Sequence, residues 1–517
     1  MTIRRYLLPA VFISGFTSLA LEMTASRLLE RTFGMSNLVW ACIIGLILIY
    51  LAGGYFLGGY WADRSPSYKT FFQILIWAAL SIALLPLISK PILRSAADAF
   101  DKLQIGLLAG AFTAVLVLLI IPVTLLGTAS PFAIRLAVQQ TDNVGKVSGR
   151  IYAISTLGSF IGTFLPVLLL IPTIGTYRTF LVLSAILLIT ALVGLWRTAG
   201  GRVTLAYLWT PVILGLIWWL GLSGPDKDTP GMIYETESSY NYLQVLQNGQ
   251  YRVLRMNEGQ GMHSVYHPTI LNYYGPWEMV LVAPYFNASP YPPENVKSMA
   301  IVGLAAGTTA RQATAVYGPI PIDGFEIDQK VVDIGRKFFD MNEPNLNVIV
   351  QDGRWGLEHS TSHYQIISVD AYRPPYIPWN MTTVEFFQIV RQHLTDDGVM
   401  VINVGRAPND RRLIEALSST ILSVFPSVHV VDVPGTFNTI LYATMQPTID
   451  ENLFRNYGYL LARGNTPELL LETTKTAAAN LQAVPAQGPV FTDDLAPVEW
   501  ITNDMILRFL FSGEKLQ

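Results

Sequence analysis

Near residue 224 the chain changes its chemistry, and no single folding environment suits both sides of the change. Before it, seven long apolar stretches follow one another, at roughly 6–29, 37–61, 71–93, 104–126, 151–172, 178–196 and 203–222. Each approaches the ~20 apolar residues needed to cross a hydrocarbon core about 30 Å thick. They lack the alternation of barrel strands. The first is too long for a cleavable signal peptide and is followed by further spans. A multi-span α-helical membrane domain over 1–224 is therefore expected, in contact with lipid.

Charge divides at the same place. Residues 1–223 carry 15 Lys/Arg and 6 Asp/Glu, while 224–517 carry 19 and 31, so the overall charge of −3 hides a balance of +9 against −12. An acidic soluble part argues against nucleic acid, whose phosphates need a basic footprint, and suits a cationic small substrate. Cys42 is the single cysteine, which excludes an intramolecular disulfide and any zinc or iron–sulfur site built on several cysteines; no metal is expected. Glycines four apart (Gly54 and Gly58, Gly158 and Gly162) fit close helix packing. Glu22, Arg27 and Arg135 are expected at helix ends, paired with each other. Loop charges favour an inside N-terminus by nine Lys/Arg to six. Seven spans then put the soluble part outside, away from cytosolic nucleosides, so its side is left open.

The soluble part opens with YNYLQVLQNGQYRVLRMN (240–257), two runs about an Asn-Gly pair, which predicts a hairpin with a type I′ turn. A small β-hairpin domain is placed at 225–297. From 298 to 517 strands alternate with helices: SMAIVG, PIDGFEI, LNVIVQ, YQIISVD and GVMVINVG read as buried parallel strands. Gln329–Asp340 and Thr383–Leu394 read as helices, and SVHVVDV with NTILYATM as a closing antiparallel hairpin. The fold class is an α/β Rossmann-type sheet behind the membrane domain, with ligand expected at the carboxyl ends of the strands.

Those ends carry the candidate residues. Gly303 and Gly307 bound a tight turn after the first strand. Glu326 and Asp328 end the second, about 20 residues on, where an acid can accept ribose hydroxyls. Asp352 and Gly353 end the third, placed for an adenine amino group. Asp370 and Tyr372 end the fourth, beside the reacting centre. Tyr240, Tyr242 and Trp379 are aromatic candidates for a cation, with packing the favoured role for Trp379.

Together these segments resemble the spermidine synthase (polyamine aminopropyltransferase) family, in the bacterial branch with an N-terminal multi-span region. The likeness covers most of the chain. It is carried by SGFTSLALEMTASRLLERTFG, GGYFLGGYWADR, TLLGTASPF, SSYNYLQV, RMNEG and GFEIDQKVVDIGRKFF, and most specifically by QDGRWGL, YQIISVDAYRPPYIPWNMTTVEFF and TDDLAPVE. The resemblance implies a class I methyltransferase-like fold, a bacterial plasma-membrane location, and transfer of an aminopropyl group to a cationic amine. Decarboxylated S-adenosylmethionine would be the co-substrate, with S-adenosylmethionine as the alternative nucleoside. Glu326 would hold the ribose and Asp352 the adenine; a homodimer is left open.

Two departures stand out. The family's glycine motif carries an acid (GGGDG), and here the run is GLAAG. Its second strand-four aspartate, the base, is replaced by Arg373, a permanent cation. Asp493 and Asp494 of TDDLAPVE are the candidate replacement carboxylates, with helix capping as their alternative role. Two further readings follow: a catalytically degenerate or repurposed nucleoside-binding protein, and a polyamine transporter fused to a synthase-like domain.

Overall fold

The computed structural model describes residues 4–33, 37–103, 107–138, 143–221, 229–257, 261–372, 376–485 and 487–512. The chain separates into two compact units, Met1–Asp228 and Thr229–Gln517. The expected change-over at 224 and the position of Arg373 lie outside the described residues.

Among the described residues the first unit has seven helices long and apolar enough to cross a membrane: Tyr6–Glu30, Trp40–Arg64, Tyr68–Leu93, Thr113–Val138, Val144–Ile174, Thr176–Ala199 and Gly201–Leu220. The fourth runs past its expected end. A turn at Thr128 divides it into Leu107–Gly127 and Ala129–Val138. The seventh is interrupted too, as Gly201–Leu205, Trp209–Leu216 and a π-helical Ile217–Gly221.

Where these helices meet, backbone touches backbone. A Cβ on Gly158 would lie 2.1 Å from the Phe12 carbonyl oxygen, and one on Gly162 would lie 2.2 Å from that of Phe16. Both contacts advance by four residues in the same sense, so the first and fifth spans run parallel. Gly54 and Gly58 meet Thr124 and Thr128 in the same way, at 2.4 and 2.6 Å. Such close approach brings the two backbones into direct packing contact. The charges pair differently from expectation. Arg27 binds Glu30 at 2.7 Å rather than Glu22, because i and i+3 share a helix face whereas i and i+5 diverge. Arg135 binds Asp63 at 2.7 Å, which joins the end of GGYWADR to GTASPFAIR.

The second unit contains two sheets. A four-stranded antiparallel meander comprises β1 (Met232–Glu237), β2 (Tyr242–Asn248), β3 (Tyr251–Met256) and β4 (Met262–Tyr266). The hairpin is present, but its turn is centred one residue later than expected. Asn248 pairs with Tyr251, which leaves Gly249 and Gln250 as the loop. Positive φ falls on Gly249 alone, the pattern of a type II′ rather than a type I′ turn.

The larger sheet comprises β5 (Met299–Val302), β6 (Ile322–Glu326), β7 (Leu346–Val350), β8 (Tyr364–Val369), β9 (Leu394–Gly405), β10 (Ser427–Asp432), β11 (Asn438–Thr444) and β12 (Leu481–Gln482). Their order is β12-β10-β11-β9-β8-β5-β6-β7, with β5 to β9 parallel and the last three strands antiparallel. This is the Rossmann-like arrangement of methyltransferases, with its switch point between β5 and β8, where ligand crevices form in such sheets. The two-residue β12 at the edge carries no readable pattern of its own. Helices begin where side chains cap them: Asp328 accepts from the Lys330 amide ahead of Gln329–Phe338, and Thr383 from Phe386 ahead of Val384–Gln392.

The glycine contacts in the first unit make a direct prediction. Gly158→Val should lower the stability of the detergent-solubilised protein by about 3 kcal/mol. Gly53→Ala, which meets nothing within 4 Å, should leave it unchanged. Thermal unfolding of the two variants beside wild type checks this, and equal midpoints would refute the packing account.

Candidate functional site

At the carboxyl edge of the large sheet, sequence-distant residues become neighbours. The segment after β5 turns through three left-handed residues: Gly303 (φ +92°), Ala305 (φ +49°) and Gly307 (φ +84°). A Cβ at Gly303 would sit 2.6 Å from the Asp370 carbonyl oxygen, and one at Gly307 would sit 2.5 Å from Met341 Cγ. Both glycines are therefore fixed by backbone geometry and by space.

Glu326 holds this turn from one side. Its two carboxylate oxygens accept the Ala305 amide at 2.9 Å and the Asp328 amide at 3.0 Å. Burial pushes the Glu326 carboxyl up to about 7, against the lowering effect of those two amides. The Asp328 carboxylate, read as a nucleoside ligand, is engaged within the protein. One oxygen caps the following helix, and the other accepts from Ser238 at 2.5 Å and from Asn241 at 3.3 Å. Asp328 thereby fastens the β1–β4 meander to the Rossmann body. That junction has its own core: Leu243, Val245, Leu254 and Met256 pack with Ala306, Val331, Ile334 and Phe339. Ser264 of β4 adds a bond from the Ala306 amide at 2.9 Å.

Beyond Glu326, the Gln351 amide donates to the Glu326 carbonyl at 3.0 Å, so Asp352 stands next in line. One Asp352 oxygen caps the Gly353–Glu358 helix by accepting from Trp355 at 3.0 Å. Gly353 is a packing necessity, since a Cβ there would lie 2.5 Å from Val302 Cγ1.

Asp370 lies on the opposite side of the turn. It accepts from Asn403 Nδ2 at 2.9 Å, while the Tyr372 hydroxyl donates to the Asn403 carbonyl at 3.1 Å. Burial raises the Asp370 carboxyl to about 6, only partly offset by the Asn403 bond. Burial and the Asp370 charge together push the Tyr372 phenol upward, so it stays protonated. Asn403 went unnoticed in the sequence. Its signal was present, as the one amide in the apolar run GVMVINVG, at the carboxyl end of β9. Its Oδ1 is buried without a partner among the described residues.

The remaining candidates separate from this cluster. Asp493 is bound through both oxygens by Arg354, at 2.8 and 2.6 Å, and also accepts from Thr383 at 2.7 Å. Arg354 holds its carboxyl below the usual range. Asp494 is exposed on the same turn. Tyr242 is buried with its hydroxyl on Glu235, a packing role inside the meander. Trp379, expected to be packed, is 48% exposed, and Tyr240 is 37% exposed.

The family model described as Spermine/spermidine synthase domain matches residues 278–451. A probable polyamine aminopropyl transferase of Bifidobacterium longum is 34% identical over 292 residues, covering 52% of this chain and 61% of that protein. The chain thus spans about three fifths of that relative's length. The polyamine aminopropyltransferase of Oceanobacillus iheyensis is 24% identical over 476 residues, 86% of this chain and 82% of the relative. Among solved structures, a probable spermidine synthase from Corynebacterium glutamicum aligns at 20% identity and TM-score 0.39, covering 51% of this chain and 100% of that one. The spermidine synthase of Thermotoga maritima aligns at 17% and 0.36, covering 47% and 87%. The matched domain lies across the strand ends that carry Glu326, Asp352, Asp370 and Asn403, so this part of the chain is similar to spermine and spermidine synthases.

Proposed function

We propose that the soluble unit binds the adenosine part of an S-adenosylmethionine-type donor and transfers its aminopropyl group to an amine. The observation that carries this reading is the single turn Gly303–Gly307, held by Glu326 on one side and bordered by Asp370 on the other. Ribose hydroxyls would donate to Glu326, the adenine amino group to the uncapped Asp352 oxygen, and the sulfonium would lie over the turn towards Asp370. The seven apolar helices would anchor the enzyme in a bacterial plasma membrane, with lipid around them.

The reaction forms one bond and breaks one. The free amine attacks the propyl carbon next to sulfur, the C–S pair returns to sulfur, and 5′-methylthioadenosine leaves. The attacking nitrogen must shed a proton, and Asp370 is the carboxylate placed to take it. With its proton affinity raised to about 6, Asp370 is ionised at neutral pH, yet more basic than an ordinary aspartate. Asn403 Oδ1, without a partner among the described residues, would supply a second acceptor for the ammonium, and the bond from Asn403 Nδ2 to Asp370 holds the amide group in place. Asp493 is a poor replacement base, because Arg354 neutralises it. That observation also favours the alternative of a nucleoside-binding protein that has lost transfer. Product formation separates the two.

Titration calorimetry of the detergent-solubilised chain with 5′-methylthioadenosine and S-adenosylmethionine tests the binding claim; heat from neither ligand would overturn it. Given binding, Asp370→Asn should cut turnover with decarboxylated S-adenosylmethionine and putrescine by at least about 100-fold, with little change in donor KM. Wild-type kcat/KM should rise with pH through about 6, and that rise should be absent from the residual activity of the variant.

Glu326 makes a stability prediction of definite sign. A buried carboxyl raised to about 7 binds more protons folded than unfolded. Its contribution is therefore complete below the ordinary carboxylate range and is lost as pH rises through 7. His263, which burial pulls from 6.5 down to about 4, has the opposite slope between those values. The test is accordingly the difference between wild type and Glu326→Gln. From pH 5 to pH 8 the unfolding midpoint of wild type should fall relative to the variant, and bound 5′-methylthioadenosine should reduce that fall. A pH-independent difference would refute it.

A further inference from the structure

Arg354 stands two residues past Asp352, in the helix that Asp352 caps. Its guanidinium joins three separate segments. Nη1 donates to the Asn380 carbonyl at 2.9 Å, in the Trp379–Met381 turn on the path back from β8. Nη1 and Nη2 together grip Asp493 of the carboxyl-terminal segment in the fork geometry that only arginine offers. The Asp493 end is itself anchored. Thr383 Oγ1 donates to its carboxylate, its amide donates to Glu385 at 3.0 Å, and the neighbouring Phe491 is buried at 1% exposure. Phe491 accepts from the Val384 amide at 2.9 Å and donates to Thr420 Oγ1 at 2.9 Å.

We propose that Arg354 and Asp493 form a positioning clasp, in which the carboxyl-terminal segment sets the head of the Asp352 helix relative to the turn that follows β8. The clasp rests on the nucleoside-binding reading above and gives Asp493 a role in place of catalysis. It explains why QDGRWGL and TDDLAPVE, 139 residues apart, occur in one chain: the arginine of the first closes on an aspartate of the second. Neither residue need touch the ligand. Opening the clasp frees the helix whose first turn aligns Asp352, and a small displacement of a positioned group is expensive in affinity and rate.

Calorimetric titration of the full-length, detergent-solubilised chain with 5′-methylthioadenosine tests this. Wild type should bind, and Asp493→Asn and Arg354→Met should each bind about tenfold more weakly. Asp493→Glu, which keeps the charge and the fork, should recover most of the loss. Glu294→Gln, which breaks the Arg463–Glu294 ion pair of similar length elsewhere on the unit, should bind as wild type does. Unfolding midpoints of the four variants, measured without ligand, should lie close together. If wild type binds and Asp493→Asn binds equally well, the clasp falls while the nucleoside reading stands. If the affinity loss tracks a drop in unfolding midpoint that Glu294→Gln lacks, and Asp493→Glu does not restore it, the pair is only structural and the proposal falls. If wild type does not bind, the nucleoside reading fails and the clasp goes with it.

Discussion

Everything at the sheet's carboxyl edge depends on one carboxylate gripping one turn. Left-handed conformations at three of five consecutive residues are costly unless the surroundings over-determine them, above all at Ala305, which has a side chain. Glu326 supplies that constraint by accepting the Ala305 amide. With its other oxygen it orders the start of the next helix through the Asp328 amide. Asp328 in turn reaches Ser238 and Asn241 of the meander. A short chain of hydrogen bonds thus runs from the small sheet through two acids into the turn. The same chain explains why Glu326 remains an acceptor although burial disfavours its charge: two backbone amides are aimed at it.

What could be read from the sequence followed from local signals. Short apolar runs bounded by glycine and polar residues marked all five parallel strands and the closing hairpin, since a strand covered on both faces must be apolar throughout; β7 at the sheet edge departs from the expected burial, with no fully buried residue. The placement of Glu326, Asp352 and Asp370 at neighbouring strand ends was legible because the parallel fold puts strand ends in a row whatever the intervening helices do. The intramolecular role of Asp328 was not legible, because capping acids and ligand-binding acids look alike in sequence, both following a strand and opening a helix. The Asn403 amide stands out in its apolar strand, but its partner appears only in the fold, at Asp370, 33 residues earlier.

The ion pairs were the least legible features, for a physical reason. Arg135–Asp63 and Arg354–Asp493 join positions 72 and 139 residues apart, and any of several charges would have satisfied a sequence-level argument. Distance along the chain carries no information about such pairs until the fold has closed. The expected Glu22–Arg27 pair failed at the local level, because five residues along a helix turn the two side chains to different faces. Glycine spacing was more reliable. Two backbones in van der Waals contact tolerate no Cβ, and that requirement is written directly into residue identity at Gly158 and Gly54.

The departures from the family pattern acquire a common explanation in the charges around Asp370. At the sequence position where the resemblance implies a second aspartate as the base, the chain has Arg373, and Asp493 of the TDD segment is already paired with Arg354. In the proposed transfer, proton acceptance would then fall on Asp370, and a lone carboxylate would need help to manage an ammonium. Two features supply it. Burial lifts the proton affinity of Asp370 into the range where it is still ionised at neutral pH but can hold a proton briefly. Asn403 would offer a neutral acceptor that orients nitrogen without adding charge, its amide group held by the bond that it donates to Asp370. A site with one charged and one neutral acceptor attracts a cation less strongly than a pair of aspartates does, because the second acceptor carries no net charge. An enzyme built this way would hold its amine more by orientation than by charge.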